Sequence, residues 1–221
     1  VRKAMIESLE IIKEETHETC SKMLLELISK HVNQFEDLSI GLSGGNTPKL
    51  FYELFAKKFH DYNNISIWTV DERHIDTREK ISNQNMINSI FDDTNLDVIE
   101  FIYSESPHLS AENYTTKVMK KINKFNIAVL GVGDDGHIAS LFPNTTALES
   151  DKKGFVENEV NILTKWRITS TYQLLAEVEY LYLFVTGENK KEVIQKIGNA
   201  DDLPVNKLIS LRKKTTLLTD Q

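Results

Sequence analysis

Short apolar runs and helix-periodic segments alternate along this chain, and this alternation constrains the fold more than any other feature. Six apolar runs have the length of strands, at 38–42, 65–70, 98–102, 126–130, 180–185 and 215–218. Helical periodicity occupies 12–32, the segment after Pro48, 83–91, 110–122 and 190–197. Strands that alternate with helices predict a single-domain, Rossmann-like α/β fold over residues 1–221, with a mostly parallel sheet and helices on both faces.

Composition excludes several classes of protein. With a net charge of -7, the protein lacks the positive surface potential that is typical of a nucleic-acid binder. No segment approaches the roughly 20 apolar residues that cross a bilayer, and the first residues lack the apolar core of a signal peptide. The single cysteine, Cys20, cannot form an internal disulfide and is expected to be a small buried hydrophobe rather than a reactive thiol. We therefore expect a cytoplasmic protein, a monomer or small homo-oligomer, with no membrane or nucleic-acid partner.

The segments that follow the predicted strands are the unusual parts of the chain. In open parallel sheets, ligands bind at the carboxyl ends of the strands, where these segments meet. Four of them carry glycine, charge or histidine: 43–47, 71–73, 131–137 and 187–190. The sequence predicts that these segments form one site.

The segment 43–47 reads SGGNT and lies between a strand and a helix. Paired glycines allow backbone N–H groups to face an anion, and the helix N-terminus adds a favourable dipole. Thr47 is the expected N-cap, with Pro48 at the first helical position. A tight turn with a capped helix explains the same residues, and the local sequence does not choose between the two.

Ser43 also matches the G-x-S-x-G nucleophile elbow of serine hydrolases, in the sequence GLSGG. Asp71 and His137 even follow it in the order Ser, Asp, His. However, a long α/β segment follows His137, where that fold expects a histidine near the C-terminus. No HGGG-type oxyanion motif precedes Ser43 either, so the elbow is a minor alternative.

The segment 131–137 reads GVGDDGH and fits the dinucleotide fingerprint G-x-G-x-x-G. Asp134 and Asp135 would place negative charge where a pyrophosphate lies, which weakens that interpretation. A histidine at the end of a glycine loop, beside two carboxylates, is better explained as a general base. A carboxylate that binds one ring nitrogen of His137 leaves the other free to accept a proton. Metal ligation is not predicted, because no HExxH or Cys/His spacing occurs.

Three cations complete the candidate set, although each is weak by itself. Arg73 lies in a charge run typical of a solvated face. Arg167 and Lys190 are individually unremarkable, and Lys190 is explained equally well as a helix-surface lysine.

Taken together, these motifs resemble the 6-phosphogluconolactonase family, which is related to glucosamine-6-phosphate deaminases. The resemblance covers nearly the whole chain: LSGGNTP at 42–48, DER at 71–73 with SN at 82–83, GVGDDGHIASLFP at 131–143, RIT at 167–169 and GENK at 187–190. The segment at 131–143 is the most specific of these. Two positions depart from the family pattern: Asn46 stands where the family has serine, and Ile75-Asp76 replaces its Val-Pro. Both departures are expected to affect the affinity for substrate.

The resemblance implies hydrolysis of 6-phosphoglucono-δ-lactone to 6-phosphogluconate, in the pentose phosphate pathway, without metal or organic cofactor. It implies His137 as general base. From the chemistry of such a base, we expect Asp135 or Asp71 to orient the imidazole or a water. The substrate-binding residues that the resemblance implies are Gly44, Gly45, Asn46, Thr47, Arg73, Arg167 and Lys190.

Two rival functions use the same fold. A glucosamine-6-phosphate deaminase is expected to read FNEP after the DGH loop, with a glutamate that assists ring opening. The corresponding segment here, 140–143, reads SLFP and has no acid. A sugar-phosphate-binding regulator without catalysis is the other rival, but such a sensor needs no base at His137.

Overall fold

The computed structural model describes residues 8–199 and 202–221. The strands are β1 (Leu9–Lys13), β2 (Leu38–Leu42), β3 (Ile65–Thr69), β4 (Asp71–Arg73), β5 (Asp97–Val98), β6 (Ile127–Leu130), β7 (Phe155–Ile162), β8 (Thr164–Ser170), β9 (Tyr180–Phe184) and β10 (Thr215–Thr219). The helices are α1 (His17–Val32), α2 (Lys49–Phe59), α3 (Asn83–Phe91), α4 (Pro107–Lys121), α5 (Tyr172–Glu177), α6 (Lys191–Ile194) and α7 (Pro204–Ser210), with 3-10 turns at Thr146–Glu149 and Glu188–Lys190.

Seven strands form a parallel sheet in the order β1-β10-β9-β6-β2-β3-β5. Helices α1 to α3 pack on one face, and α4 to α7 pack on the other. The central strand β6 is buried along its whole length, because Ile127 and Val129 enter one core while Ala128 and Leu130 enter the other. The predicted α/β class, with helices on both faces of a mostly parallel sheet, is confirmed.

The N-terminal helix is shorter than predicted. Periodicity places its start at Ile12, but Ile12 belongs to β1, an edge strand paired with β10. The helix begins at His17, because Thr16 caps it with a capping box. The Thr16 hydroxyl accepts a hydrogen bond from the Thr19 N–H, and the Thr19 hydroxyl accepts one from the Thr16 N–H. Cys20 on this helix is fully buried, as expected, and burial raises the pKa of its thiol to about 11.

The strand β5 and the start of α2 also differ from the prediction. The strand predicted at 98–102 is limited to Asp97–Val98, because only these two residues pair with β3 at the sheet edge. Thr47 is not an N-cap: α2 starts one residue later, at Lys49, with Pro48 in the cap position and no side-chain cap bond. The helix starts later because residues 47 and 48 form a turn, which closes through a bond from the Lys49 N–H to the Asn46 carbonyl.

A second, three-stranded antiparallel sheet, in the order β4-β8-β7, was not predicted. The chain passes from β3 into β4 through Val70, whose N–H bonds to the Leu42 carbonyl of the parallel sheet. The Val70 carbonyl accepts the Ser170 N–H at the end of β8. Through this connection the chain leaves the large sheet, and residues 71–73 pair with residues 167–169 in the small sheet.

Among the helices of the described residues, none combines the length and apolar character that a bilayer crossing requires.

Candidate active site

A cavity of about 510 Å³ opens at the carboxyl ends of β2, β3 and β6, and the small sheet forms one of its sides. Eight of the predicted site residues line it: Gly44, Gly45, Asp71, Arg73, Asp135, His137, Arg167 and Lys190. Asn46 and Thr47 lie outside this lining, with Asn46 exposed and Thr47 half-buried. The structure thus brings together five segments that are far apart in the sequence.

His137 and Asp135 form a hydrogen-bonded pair at this cavity. The Nδ1 atom of His137 lies 2.6 Å from Oδ1 of Asp135, and the same oxygen accepts the His137 backbone N–H at 3.1 Å. Since a carboxylate accepts the Nδ1 proton, the neutral imidazole presents Nε2 as its acceptor. The imidazole keeps 29% of its surface exposed, so water can reach it.

Backbone hydrogen bonds within 131–137 close the loop that carries this pair. The Gly133 N–H donates to the His137 carbonyl, and the Gly136 N–H donates to the Gly133 carbonyl, both at 2.9 Å. A side chain at Gly133 would meet the His137 ring at 2.1 Å, so only glycine fits there. A tight turn follows at 138–141 instead of a helix, which removes the helix N-terminus that a dinucleotide fingerprint needs.

Arg73 and Arg167 are direct register partners on β4 and β8. Arg73 Nη1 donates to the Ile81 carbonyl at 2.7 Å and to the Asn83 side chain, while Arg167 Nη2 donates to the Ile162 carbonyl at 2.7 Å. Within the described part of the chain, both Nε groups are buried without a hydrogen-bond partner. Two neighbouring guanidiniums with unused donors favour a bound anion.

Burial controls the electrostatics of this pair. Only 4% of Arg167 is exposed, and burial, together with the nearby Arg73 charge, lowers the pKa of its guanidinium. The carboxylate of Asp71 acts in the opposite direction. An anion between the arginines would relieve their repulsion where water cannot do so.

Asp71 contacts a different partner from the one expected. Its Oδ2 atom accepts the Ser140 hydroxyl at 2.5 Å, and its backbone carbonyl accepts the Asn83 side-chain amide at 2.7 Å. The ring nitrogen of His137 bonds to Asp135. Of the two carboxylates that the sequence left open, Asp135 is therefore the one in contact with the imidazole.

Glu72 and Asn83 belong to the DER and SN motifs, but sequence reasoning did not include them among the candidate site residues. Glu72 is 1% exposed, and its carboxylate accepts four bonds: the Ser82 hydroxyl and the N–H groups of Arg73, Asn83 and Gln84. Burial raises the pKa of Glu72, and these four donors oppose that shift. This carboxylate ties the start of α3 to β4, so that Asn83 reaches both Arg73 and Asp71. The N-cap pattern at Ser82 was the signal available in the sequence.

Lys190 and Ser43 complete the lining. Lys190 Nζ donates to the Val132 carbonyl at 3.0 Å and to Asp134 Oδ1 at 2.7 Å, so it is tied to the loop that carries His137. Ser43 follows β2 and precedes an extended loop to α2, not the sharp strand-to-helix turn of a nucleophile elbow. Its hydroxyl is buried and has no hydrogen-bond partner among the described residues.

Among residues 8–199 and 202–221, no group of three or more His, Cys, Asp or Glu side chains is arranged to hold a metal ion. The expected absence of a cofactor remains a prediction.

The fold and this site define a class: Rossmann-like α/β proteins with a His–Asp pair and clustered cations at the carboxyl edge of the sheet. The family described as glucosamine-6-phosphate isomerases/6-phosphogluconolactonase matches residues 12–218, and the chain belongs to this family. A relative from Dictyostelium discoideum, named "Probable 6-phosphogluconolactonase", is 32% identical over 93% of this chain and 94% of its own length.

Solved structures share the fold. The crystal structure of a 6-phosphogluconolactonase from Shewanella baltica superposes with a TM-score of 0.86 at 22% identity, covering 98% of this chain and 99% of its own. A monomeric glucosamine-6-phosphate deaminase superposes with a TM-score of 0.83 at 18% identity, covering 96% and 97%. Since both activities occur on this backbone, the fold does not choose between them.

Proposed function

We propose that this chain, as one domain over residues 1–221, hydrolyses 6-phospho-D-glucono-1,5-lactone to 6-phosphogluconate. One observation carries the proposal: a His137–Asp135 pair and the partly unsatisfied Arg73–Arg167 pair line the same cavity. The first pair supplies a base, and the second binds a phosphate. The relative at 32% identity, which is named for this activity, supports the same substrate class.

The base acts on water rather than on the sugar. A lactone carbonyl is electrophilic, so His137 Nε2 accepts a proton from water while the water oxygen bonds to C1. The carbonyl oxygen becomes an oxyanion, for which backbone N–H groups of the Gly44–Gly45 loop are suitable donors. Collapse reforms the carbonyl and breaks the bond from C1 to the ring oxygen. The imidazolium then returns its proton to that oxygen, which becomes the C5 hydroxyl of the acid.

Phosphate binding by the arginine pair orients the lactone. The protein has a net charge of -7, so a dianionic substrate needs a local cation cluster to overcome the overall repulsion. Arg73 and Arg167 supply planar donors, and Lys190 adds a third charge at the cavity. A phosphate held away from C1 fixes the ring against the attacking water. In this arrangement Asp135 orients His137, and Asp71 balances the arginine charges while it fixes Ser140.

The lactonase is favoured over the deaminase by residue 142. The deaminase is expected to carry an acid there for ring opening, and this chain has Phe142 against the base. Contacts of Asn46 and Thr47 with substrate remain predictions. The cytoplasm is the proposed compartment, supported by a single, buried cysteine, Cys20.

The test measures acid release from fresh lactone, corrected for spontaneous hydrolysis, by wild type and His137→Ala. Loss of a general base is expected to lower kcat by about 10²- to 10⁴-fold. His60→Ala is the matched control, because His60 also pairs with a neighbouring carboxylate, Asp61, at 3.0 Å, but on the exposed surface. Equal corrected rates for wild type and His137→Ala would refute the mechanism.

Two further measurements separate the rivals. Ammonia release from glucosamine 6-phosphate would identify a deaminase. Loss of turnover in Ser43→Ala, through loss of a covalent intermediate, would identify a serine hydrolase.

A further inference from the structure

Phe142 lies against the imidazole of His137. The two ring centroids are 4.1 Å apart, and the ring planes differ by 27°, so the rings are stacked. Phe142 is 8% exposed, yet neither of the two hydrophobic cores of the described residues includes it. An aromatic side chain in this place is therefore not explained by core packing.

The turn at 138–141 brings Phe142 back over His137. Ile138 and Leu141 form an isolated antiparallel bridge, and the Leu141 N–H donates to the Ile138 carbonyl at 2.9 Å. Ala139 inside the turn has a φ of 48°, in the left-handed region that an alanine rarely adopts. Strain of this kind persists only where surrounding contacts enforce it.

Three hydrogen bonds from outside the turn enforce it. The Ser140 hydroxyl donates to Asp71, the Ser140 N–H donates to the Thr169 hydroxyl at 3.1 Å, and the Asn158 amide of β7 donates to the Ser140 carbonyl at 2.8 Å. Ser140 is 1% exposed and Asn158 is fully buried, so this anchor is rigid. The position of Phe142 is thus fixed by the small sheet, whose strands β4, β7 and β8 each supply one of these partners.

His137 is restrained on three sides. Asp135 holds Nδ1, Gly133 lies close to the Cε1–Nδ1 edge, and Phe142 covers one face of the ring. A single hydrogen bond to Asp135 would still allow the imidazole to rotate about the line that joins Nδ1 to the carboxylate oxygen. The Asp135 side chain is 46% exposed, so it is not itself held rigidly by burial. The stacked face removes this remaining freedom.

We propose that Phe142 is a positioning residue for the reaction, which acts through the imidazole of His137. It fixes the plane of the ring and hence the direction of Nε2 toward the attacking water. When Nε2 takes the proton, the resulting cation lies over an aromatic face, which stabilises it. This inference rests on the proposed function and assigns no contact with substrate to Phe142.

The experiment compares Phe142→Leu, Phe142→Tyr and wild type in the lactone assay. Leucine keeps much of the apolar volume but lacks a flat face, so kcat is expected to fall about 10- to 100-fold while KM stays within about twofold. Tyrosine restores the stacked face, and its hydroxyl can extend into the cavity that Phe142 lines. Its kcat is expected within about threefold of wild type.

Phe155→Leu is the control for general loss of packing. Phe155 is a buried aromatic of the core, so this variant should unfold at lower temperature with an unchanged kcat. The positioning role is overturned if Phe142→Leu retains wild-type kcat, if its main effect is on KM, or if Phe142→Tyr loses as much kcat as Phe142→Leu. If Phe142→Leu does not fold, the tyrosine variant alone decides, and a kcat as low as that of His137→Ala overturns the role.

The two proposals fail in different ways. Wild-type activity in His137→Ala refutes the base and with it the proposed function. Low activity in His137→Ala with wild-type kcat in Phe142→Leu refutes only the positioning role.

Discussion

The cavity has two walls that are held in different ways. The loop wall, residues 131–137, keeps much of its catalytic surface in water: the side chains of His137 and Asp135 are 29% and 46% exposed. The sheet wall, formed by β4, β8 and the β7–β8 hairpin tip at 161–163, buries its charges, with Arg167 4% and Glu72 1% exposed. Short-range backbone bonds close the loop of the first wall, and the pairing of β4 with the distant strand β8 holds the second.

This difference follows from what each wall has to do. A base that activates water needs access to water, and a few local hydrogen bonds are enough to aim it. Cations that bind an anion act more strongly where water is excluded, but their burial is costly and requires a network to offset it. We therefore expect changes in the loop wall to alter kcat alone. Changes in the sheet wall should alter stability and substrate binding.

The largest expected effect is that of Glu72→Ala. Removal of the carboxylate leaves four donors without this acceptor, three of them buried, and each buried donor costs about 1–3 kcal/mol. We expect the free energy of unfolding, measured in urea, to fall by at least about 3 kcal/mol. Glu53→Ala, at an exposed position on α2, should change it by less than about 0.5 kcal/mol. Equal stability of the two variants would show that the sheet wall does not depend on this network.

Arg167→Met tests the binding role of the same wall. A charge-assisted hydrogen bond contributes about 1.5–3 kcal/mol, so KM is expected to rise about 10- to 100-fold with a smaller change in kcat. Arg78→Met is the control, because Arg78 is exposed and pairs only locally with Asp76. A fall in kcat at unchanged KM would place Arg167 in the chemical step instead of in binding.

Asp135→Asn tests the loop wall. The side-chain oxygen of asparagine can still accept a hydrogen bond from the Nδ1–H group of His137. It lacks the negative charge that stabilises the imidazolium, so kcat should fall about 10-fold. Stability should stay within about 0.5 kcal/mol, since the Asp135 side chain is 46% exposed. Asp134→Asn is the neighbouring control: it breaks the ion pair with Lys190 and leaves the His137 contact intact. Equal kcat losses in both variants would contradict an orienting role for Asp135.

The two walls also differ in how far the sequence predicts them. The loop wall is one contiguous motif after one apolar strand, so its residues and their mutual proximity can be predicted from the chain. The choice of Asp135 over Asp71 as the partner of His137 comes from the structure, since the sequence left both carboxylates open. The sheet wall depends on β4 lying beside β8, which are far apart in the sequence, and β4 is only three residues long. No periodicity reveals so short a strand, and Glu72 was therefore overlooked in a charge run.

The position of Phe142 shows the same limit at shorter range. Sequence reasoning used this residue as part of the motif at 131–143 and to note that an acid is absent, and it assigned no role to the side chain. Its stacking on His137 depends on the left-handed Ala139 in a turn, which residue preferences do not predict.

The smallest expected effect concerns the hairpin tip of the sheet wall. Leu163 has a φ of 62° and is 76% exposed, so it combines a strained backbone with little burial. Asparagine tolerates the left-handed region, as Asn161 does in the same tip with a φ of 50°. Leu163→Asn should therefore raise the free energy of unfolding by up to about 1 kcal/mol, measured in urea.

The matched control is Ile162→Asn. Ile162 is 50% exposed and also lines the cavity, but it lies in β7 without a positive φ, so the substitution relieves no strain. Asparagine is also disfavoured in strands, so this variant should lose stability slightly. If both variants lose stability, then backbone strain at Leu163 does not limit the stability of the hairpin tip. If Leu163→Asn gains stability but KM rises, then the strained leucine is retained for contact with substrate, and the sheet wall includes an apolar element as well as its buried cations.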